Sequence, residues 1–152
     1  MLTPVQLYFL ALAVGFSPGF SPDTGNAGTM AALAMRESGG RTDLVQVSKW
    51  ERSYGPWQIN ALVPGRLHSL GLTTTQLKDP WNNAWAAKRI WAWDDRNLNI
   101  AWYTGRGRHR KAYLANLVVV QAMVNAQRIE VPGLGSRIVP VPSSVLDLVT
   151  GK

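Results

Sequence analysis

Apolar residues come in blocks along this chain, separated by glycine and proline. Thr3-Pro4 has the form of a helix start, a hydroxyl cap followed by proline at the first helical position. The block from Val5 to Phe16 is almost wholly apolar and ends at Gly15, with Ser-Pro beyond. No Lys or Arg precedes it, it is short for a membrane span, and no clean small-x-small cleavage site follows. A buried first helix is therefore expected in preference to a leader. A turn at Ser21-Pro22-Asp23-Thr24-Gly25-Asn26 then offers several caps to the second block.

That block, Met30-Ala31-Ala32-Leu33-Ala34-Met35-Arg36-Glu37-Ser38-Gly39-Gly40, is rich in helix formers and uninterrupted until its terminal glycines. At a period of 3.6, Met30, Leu33, Ala34 and Glu37 share a face. A carboxylic acid on an apolar face is expected to hold its proton more tightly than usual, as a general acid must. The plain alternatives are a surface glutamate near a helix end, or a buried one paired with an arginine.

After Gly40 the helical period is lost. Arg41 to Asn60 reads as an irregular loop or small β-ribbon, with a breaker at Ser53-Tyr54-Gly55-Pro56. Short helices are expected at Pro64–Leu70 and Thr73–Lys78. Asp79-Pro80 opens a longer one from about Trp81 to Asp94. A polar break at Asp95 to Asn97 and a tight turn at Gly105-Arg106-Gly107 precede a long helix from Arg108 to about Arg128. Its valines weaken that reading. Beyond it, Val131-Pro132-Gly133 and Pro140-Val141-Pro142 cannot continue a helix. The expected fold class is mainly α, an α+β arrangement with a small irregular or β insert at about 41–60. One domain spans 1–130, and 131–152 is a Pro/Gly-containing extension.

Composition narrows the chemistry. The chain has 152 residues, enough for one core, and no cysteine, so thiol nucleophiles and Cys-ligated metals are ruled out. His68 and His109 lack metal-ligand spacing, and no metal or organic cofactor is expected. A net charge of +7 and a pI near 10.3 suggest a polyanionic partner: nucleic acid, an anionic membrane or an anionic cell wall. Seven tryptophans supply flat faces that suit sugar rings as well as a core. Trp50, Trp81, Trp85, Trp91 and Trp93 are read as core or cleft wall in preference to dedicated sugar platforms.

Four segments, in order, resemble one family. Glu37-Ser38-Gly39-Gly40 is similar to the Glu-Ser motif closing the catalytic helix of lysozyme-like lytic transglycosylases of the soluble type. Ser53-Tyr54-Gly55-Pro56-Trp57-Gln58-Ile59-Asn60 resembles their Ser-x-Gly-Leu-Met-Gln-Ile segment. Asp79-Pro80-Trp81-Asn82-Asn83 resembles an Asp-Pro-x-x-Asn helix start. Ala101-Trp102-Tyr103-Thr104-Gly105-Arg106-Gly107 matches an Ala-Tyr-Asn-Ala-Gly-Pro-Gly segment at its alanine and both glycines. The resemblance spans roughly residues 24 to 115 and extends to goose-type lysozymes. It implies a peptidoglycan-degrading enzyme that cleaves between N-acetylmuramic acid and N-acetylglucosamine with Glu37 as acid and base. The expected partner is the glycan strand of the bacterial wall, with no nucleic acid and no membrane span. A bacteriophage setting, as virion protein or endolysin, is expected, and 131–152 could then contact other virion proteins.

Candidate substrate-binding residues are Ser38, Ser53, Trp57, Gln58, Asn60, Trp102 and Tyr103. The family roles transfer most directly to Ser53, Gln58 and Trp102. Trp102 stands where the family has tyrosine, and an indole donates a hydrogen bond but accepts none. Either Trp102 does part of that work or Tyr103 takes it over. Hydrolysis would need a second acid, for which Asp43 and Glu51 are the candidates. One matched glutamate and no second matched acid favour a 1,6-anhydro product. The basic run Arg106, Arg108, His109, Arg110, Lys111 is either a solvated face or a means of attraction to wall polymers. A hydrolytic muramidase, a wall-binding module without turnover and a charge-driven nucleic-acid binder are the competing readings.

Overall fold

The computed structural model describes residues 1–102, 105 and 107–126, together with the backbone of 129–130 and 138–139. The chain opens with α1 (Pro4–Ala13), whose Thr3 cap and Gln6 exchange reciprocal hydrogen bonds. Leu7, Leu10 and Ala11 are completely buried, so this apolar block is a core helix.

Helix α2 (Ala27–Ser38) is the axis of the molecule. It starts at Asn26, whose side chain accepts the Thr29 N–H while the Thr29 hydroxyl accepts the Asn26 N–H. Every residue from Ala27 to Ala34 is buried, and both α1 and α6 pack on the helix. A helix apolar on all sides belongs inside, and its small residues let neighbours come close. A Cβ at Gly28 would lie 2.4 Å from the Gly19 carbonyl oxygen, which accepts the Gly28 N–H. Gly39 ends the helix in the left-handed conformation. Beyond it, the Gly40 carbonyl accepts the Leu2 N–H at 2.7 Å, tying the start of the chain to the end of α2.

The insert is a three-stranded antiparallel sheet, β1 (Val45–Val47), β2 (Arg52–Tyr54) and β3 (Ile59–Asn60), in that order. Val45 pairs with Tyr54, and Ser53 with Asn60. The chain is thus mainly helical with a small sheet, as the α+β reading requires.

Helix α3 (Arg66–Leu70) is shorter than expected, and the anticipated helix at 73–78 is a single 3-10 turn at Gln76–Lys78. Thr73 still caps it reciprocally with Gln76. The turn cannot extend because Asp79 precedes a proline and is held extended. Asp79 then caps α4 (Pro80–Trp93) by accepting the Asn82 N–H. After α5 (Leu98–Trp102) comes α6 (Gly107–Ala126), which buries Tyr113, Leu117, Val120 and Val124 while Val118 and Val119 stay exposed. Packing of that one stripe overrides the strand preference of its valines. Gly107 is already the first residue of α6, and Arg106 of the anticipated turn lies outside the described residues. So does most of 131–152, apart from a two-residue pairing of β4 (Ile129–Glu130) with β5 (Ile138–Val139).

Candidate active site

The end of α2, the sheet, the end of α4, α5 and the start of α6 surround a cleft of about 1150 Å³. Glu37 lines it from the last turn of α2, and Gln58, Asn60 and Trp102 line it from the segments singled out by motif. Those segments are joined by hydrogen bonds. The Asn83 side chain accepts the Trp57 N–H at 2.9 Å and donates to the carbonyls of Tyr54 and Leu77 at 2.8 and 2.7 Å. The Trp57 indole donates to the Met30 carbonyl of α2 at 2.8 Å. The Trp102 indole donates to the Trp57 carbonyl at 3.0 Å. The turn at 55–58 is therefore fixed to three helices at once. Gly55 has a φ of +72°, and a Cβ there would meet the Asn83 amide nitrogen at 2.5 Å. Gln58 also takes a positive φ, +48°, which aims its side chain back under the turn; its amide donates to the Gly55 carbonyl at 2.8 Å.

Glu37 is not on a wholly apolar face. Its side chain is 23% exposed, and Oε1 accepts from Arg36 Nε at 2.9 Å and from Arg36 Nη2. The arginine, 7% exposed, also donates to the Trp102 carbonyl. Of the alternatives open for Glu37, pairing with an arginine is the observed one, and the cleft face of the acid is open. Arg36 carries no periodic signal and was missed, although it is adjacent to Glu37 in the chain.

Several expected contacts are placed elsewhere. Ser38 is buried, donating to the Ala34 carbonyl and accepting the Gly40 N–H, so it finishes the helix and does not line the cleft. Trp57 is completely buried in the core, where both its N–H groups are engaged. Ser53 is fully buried and donates to Glu51 Oε1 at 2.6 Å. Asn60 lines the cleft, but its Oδ1 accepts from the N–H groups of Arg52 and Leu62. Trp102 also lines it, yet its single indole donor is spent on the Trp57 carbonyl of the turn, while its backbone carbonyl accepts from Arg36. Tyr103 lies outside the described residues.

Of the two candidate second acids, Glu51 lines the cleft and Asp43 is exposed away from it. A third carboxylate, Asp94, caps α4 and also faces the cleft; a helix-end residue gives no sequence sign of this. Arg66 stands nearby. Burial lowers its guanidinium from the usual value, and the charge of Asp94 partly opposes that shift. Trp50 belongs to the cleft wall and is 77% exposed, while Trp81 and Trp93 are exposed on α4, so these three are not core. Within the basic run, Arg110 forms a two-pronged pair with Asp23 at 3.0 Å, and Arg108 and Lys111 are exposed. His109 lines the cleft. Among the described residues no group of three His, Cys, Asp or Glu side chains could hold a metal ion, and no helix is long and apolar enough to cross a membrane.

A family model described as a lysozyme-like domain matches residues 11–100, more than half of the chain. The match runs from the end of α1 through the sheet and α4, and includes Glu37, Glu51, Gln58 and Asn83. No match was found among curated proteins or among solved structures.

Proposed function

From the premise that this chain belongs to the lysozyme-like domain family, we propose that it cleaves the β-1,4 bond between N-acetylmuramic acid and N-acetylglucosamine in peptidoglycan, with Glu37 as general acid and base. The observation that supports this most is the position of Glu37 at the end of a buried helix, its carboxyl group opening on an extended cleft. Rupture of a glycosidic bond needs a proton on the leaving oxygen as positive charge develops at the anomeric carbon. Glu37 is the donor in this reading. Arg36, bonded to both Glu37 and the Trp102 carbonyl, fixes the carboxyl group relative to the opposite wall.

Once deprotonated, Glu37 takes the proton of the muramoyl 6-hydroxyl, whose oxygen attacks the anomeric carbon of its own ring. The C1–O bond to the leaving sugar breaks, a 1,6-anhydro ring forms, and no water is consumed. Digestion of purified sacculi in heavy-oxygen water tests this step. Unlabelled products lighter by one water support it, and labelled reducing ends overturn it.

One observation favours a second reading, hydrolysis. Glu51 lines the same cleft and is oriented by the buried Ser53 hydroxyl, as a base activating water would be. Under that reading the products carry label, and Glu51→Gln abolishes labelling. The bacteriophage setting, and the role of 131–152 in it, rest on the sequence resemblance.

A further inference from the structure

Helix α4 carries a second surface that the cleft chemistry does not use. Trp81, Trp85, Arg89 and Trp93 follow one another every four residues, so they form a single winding stripe with a rise of about 6 Å per step. The Arg89 guanidinium lies 5.5 Å from the ring centre of Trp85 and 5.8 Å from that of Trp93. It is thus shared between two indoles, and among the described residues no carboxylate lies within ion-pair reach of it. Trp81 is 37% exposed and Trp93 44%. Trp85 between them is half-buried against the core. Burying the two outer rings would stabilise the domain, so exposing both on one face with an unneutralised cation calls for an occupant.

The stripe also has a direction. It winds toward the side of α4 on which Ile90 and Asp94 line the cleft, and Trp93 adjoins Asp94 in the chain. We infer that the Trp81–Trp85–Arg89–Trp93 stripe is a second glycan-binding track, on which a peptidoglycan strand leaving the cleft stacks its sugar faces against the indoles and sets a carboxylate against Arg89. The ligand class follows from the chemistry of the stripe. Flat exposed indoles suit pyranose faces, and a guanidinium without a carboxylate partner among the described residues suits an anion. The choice of peptidoglycan rests on the proposed function; the existence of the track does not.

The test uses the full chain carrying Glu37→Gln, with and without Arg89→Ala and Trp93→Ala. Both added positions are exposed and tolerate alanine in a helix, and circular dichroism checks that fold is kept. Binding is measured to long uncrosslinked peptidoglycan strands and to a fragment only long enough for the cleft. The added pair of substitutions should weaken long-strand binding at least about tenfold, the loss of stacking and cation contacts together, and leave fragment binding unchanged. The Trp93 indole N–H signal should shift with long strands alone. Equal long-strand affinity in the two proteins overturns the track. Cleavage by the unmutated chain is scored separately, so a protein that cleaves without using the stripe refutes this inference, and one that binds strands through the stripe without cleaving refutes the proposed reaction.

Discussion

Asn83 holds Trp57: its side-chain oxygen accepts the Trp57 backbone N–H at 2.9 Å, and its amide donates to the Tyr54 and Leu77 carbonyls on either side. One completely buried side chain from α4 thus satisfies three backbone groups, at the end of β2, in the turn after it and in the 3-10 turn. The turn that presents Gln58 depends on it.

Asn83→Ala should therefore destabilise the fold severely. It strands one buried N–H and two carbonyls, at roughly 1–3 kcal/mol each, so a total loss of about 3 kcal/mol or more is expected. Urea unfolding measures this; a loss below about 1 kcal/mol would mean that the turn holds itself together.

This residue also shows how far the sequence could be read. The Asp-Pro-x-x-Asn pattern marks Asp79 as a cap on local grounds and falls on Asn83, but it does not show that Asn83 is the buried clamp while Asn82 beside it is half-buried at the helix start. The period of 3.6 located α2 and placed Glu37 near its end. It could not show that Arg36, one position away, also bonds the Trp102 carbonyl, because that contact spans 66 residues. The resemblance of its segment to a cleft loop points Trp57 at substrate, yet the core holds it. Burial of a large indole outweighs its value as a platform. Exposed tryptophans on α4 were unreadable for the converse reason: composition says nothing about which face of a helix finds a partner.

Arg36→Lys should fold normally and turn over more slowly. One ammonium cannot span Glu37 and the Trp102 carbonyl in the fork geometry of a guanidinium. Loosening the carboxyl group should lower kcat roughly 10- to 100-fold with little change in KM. Steady-state kinetics on solubilised wall decide this, and an unchanged kcat would remove Arg36 from the positioning of Glu37.

Tyr113 should make stability fall on the alkaline side. Its hydroxyl is buried and accepts the Asp23 N–H at 3.0 Å, and burial pushes its pKa above the ordinary value near 10. With the folded value raised, the folded state keeps a proton that the unfolded state gives up. The stabilisation is full below about pH 10 and is lost as pH rises through the folded value. Tyr113→Phe should cost about 1 kcal/mol at pH 7 for the lost hydrogen bond and flatten the decline in melting temperature above pH 10. An identical decline in both proteins would contradict the assignment.

Arg108 and Lys111 should govern the salt dependence of wall binding, whereas Arg110 is committed to Asp23. Exposed charges are screened over about 8–10 Å at moderate ionic strength. Arg108→Gln with Lys111→Gln should weaken the effect of added salt on sedimentation with purified sacculi, and leave cleavage of a short neutral oligosaccharide unchanged. The same salt response in both proteins would make this end of α6 an ordinary solvated face.

The most direct measurement is release of soluble muropeptides from purified sacculi by the intact chain beside Glu37→Gln, with circular dichroism to show that both are folded. Gln keeps the size and hydrogen-bonding reach of the side chain and removes its transferable proton. The account predicts release by the unmodified chain and a loss of at least about 100-fold in the variant, the lower range for removing a general acid. Near-equal release by the two proteins would contradict it.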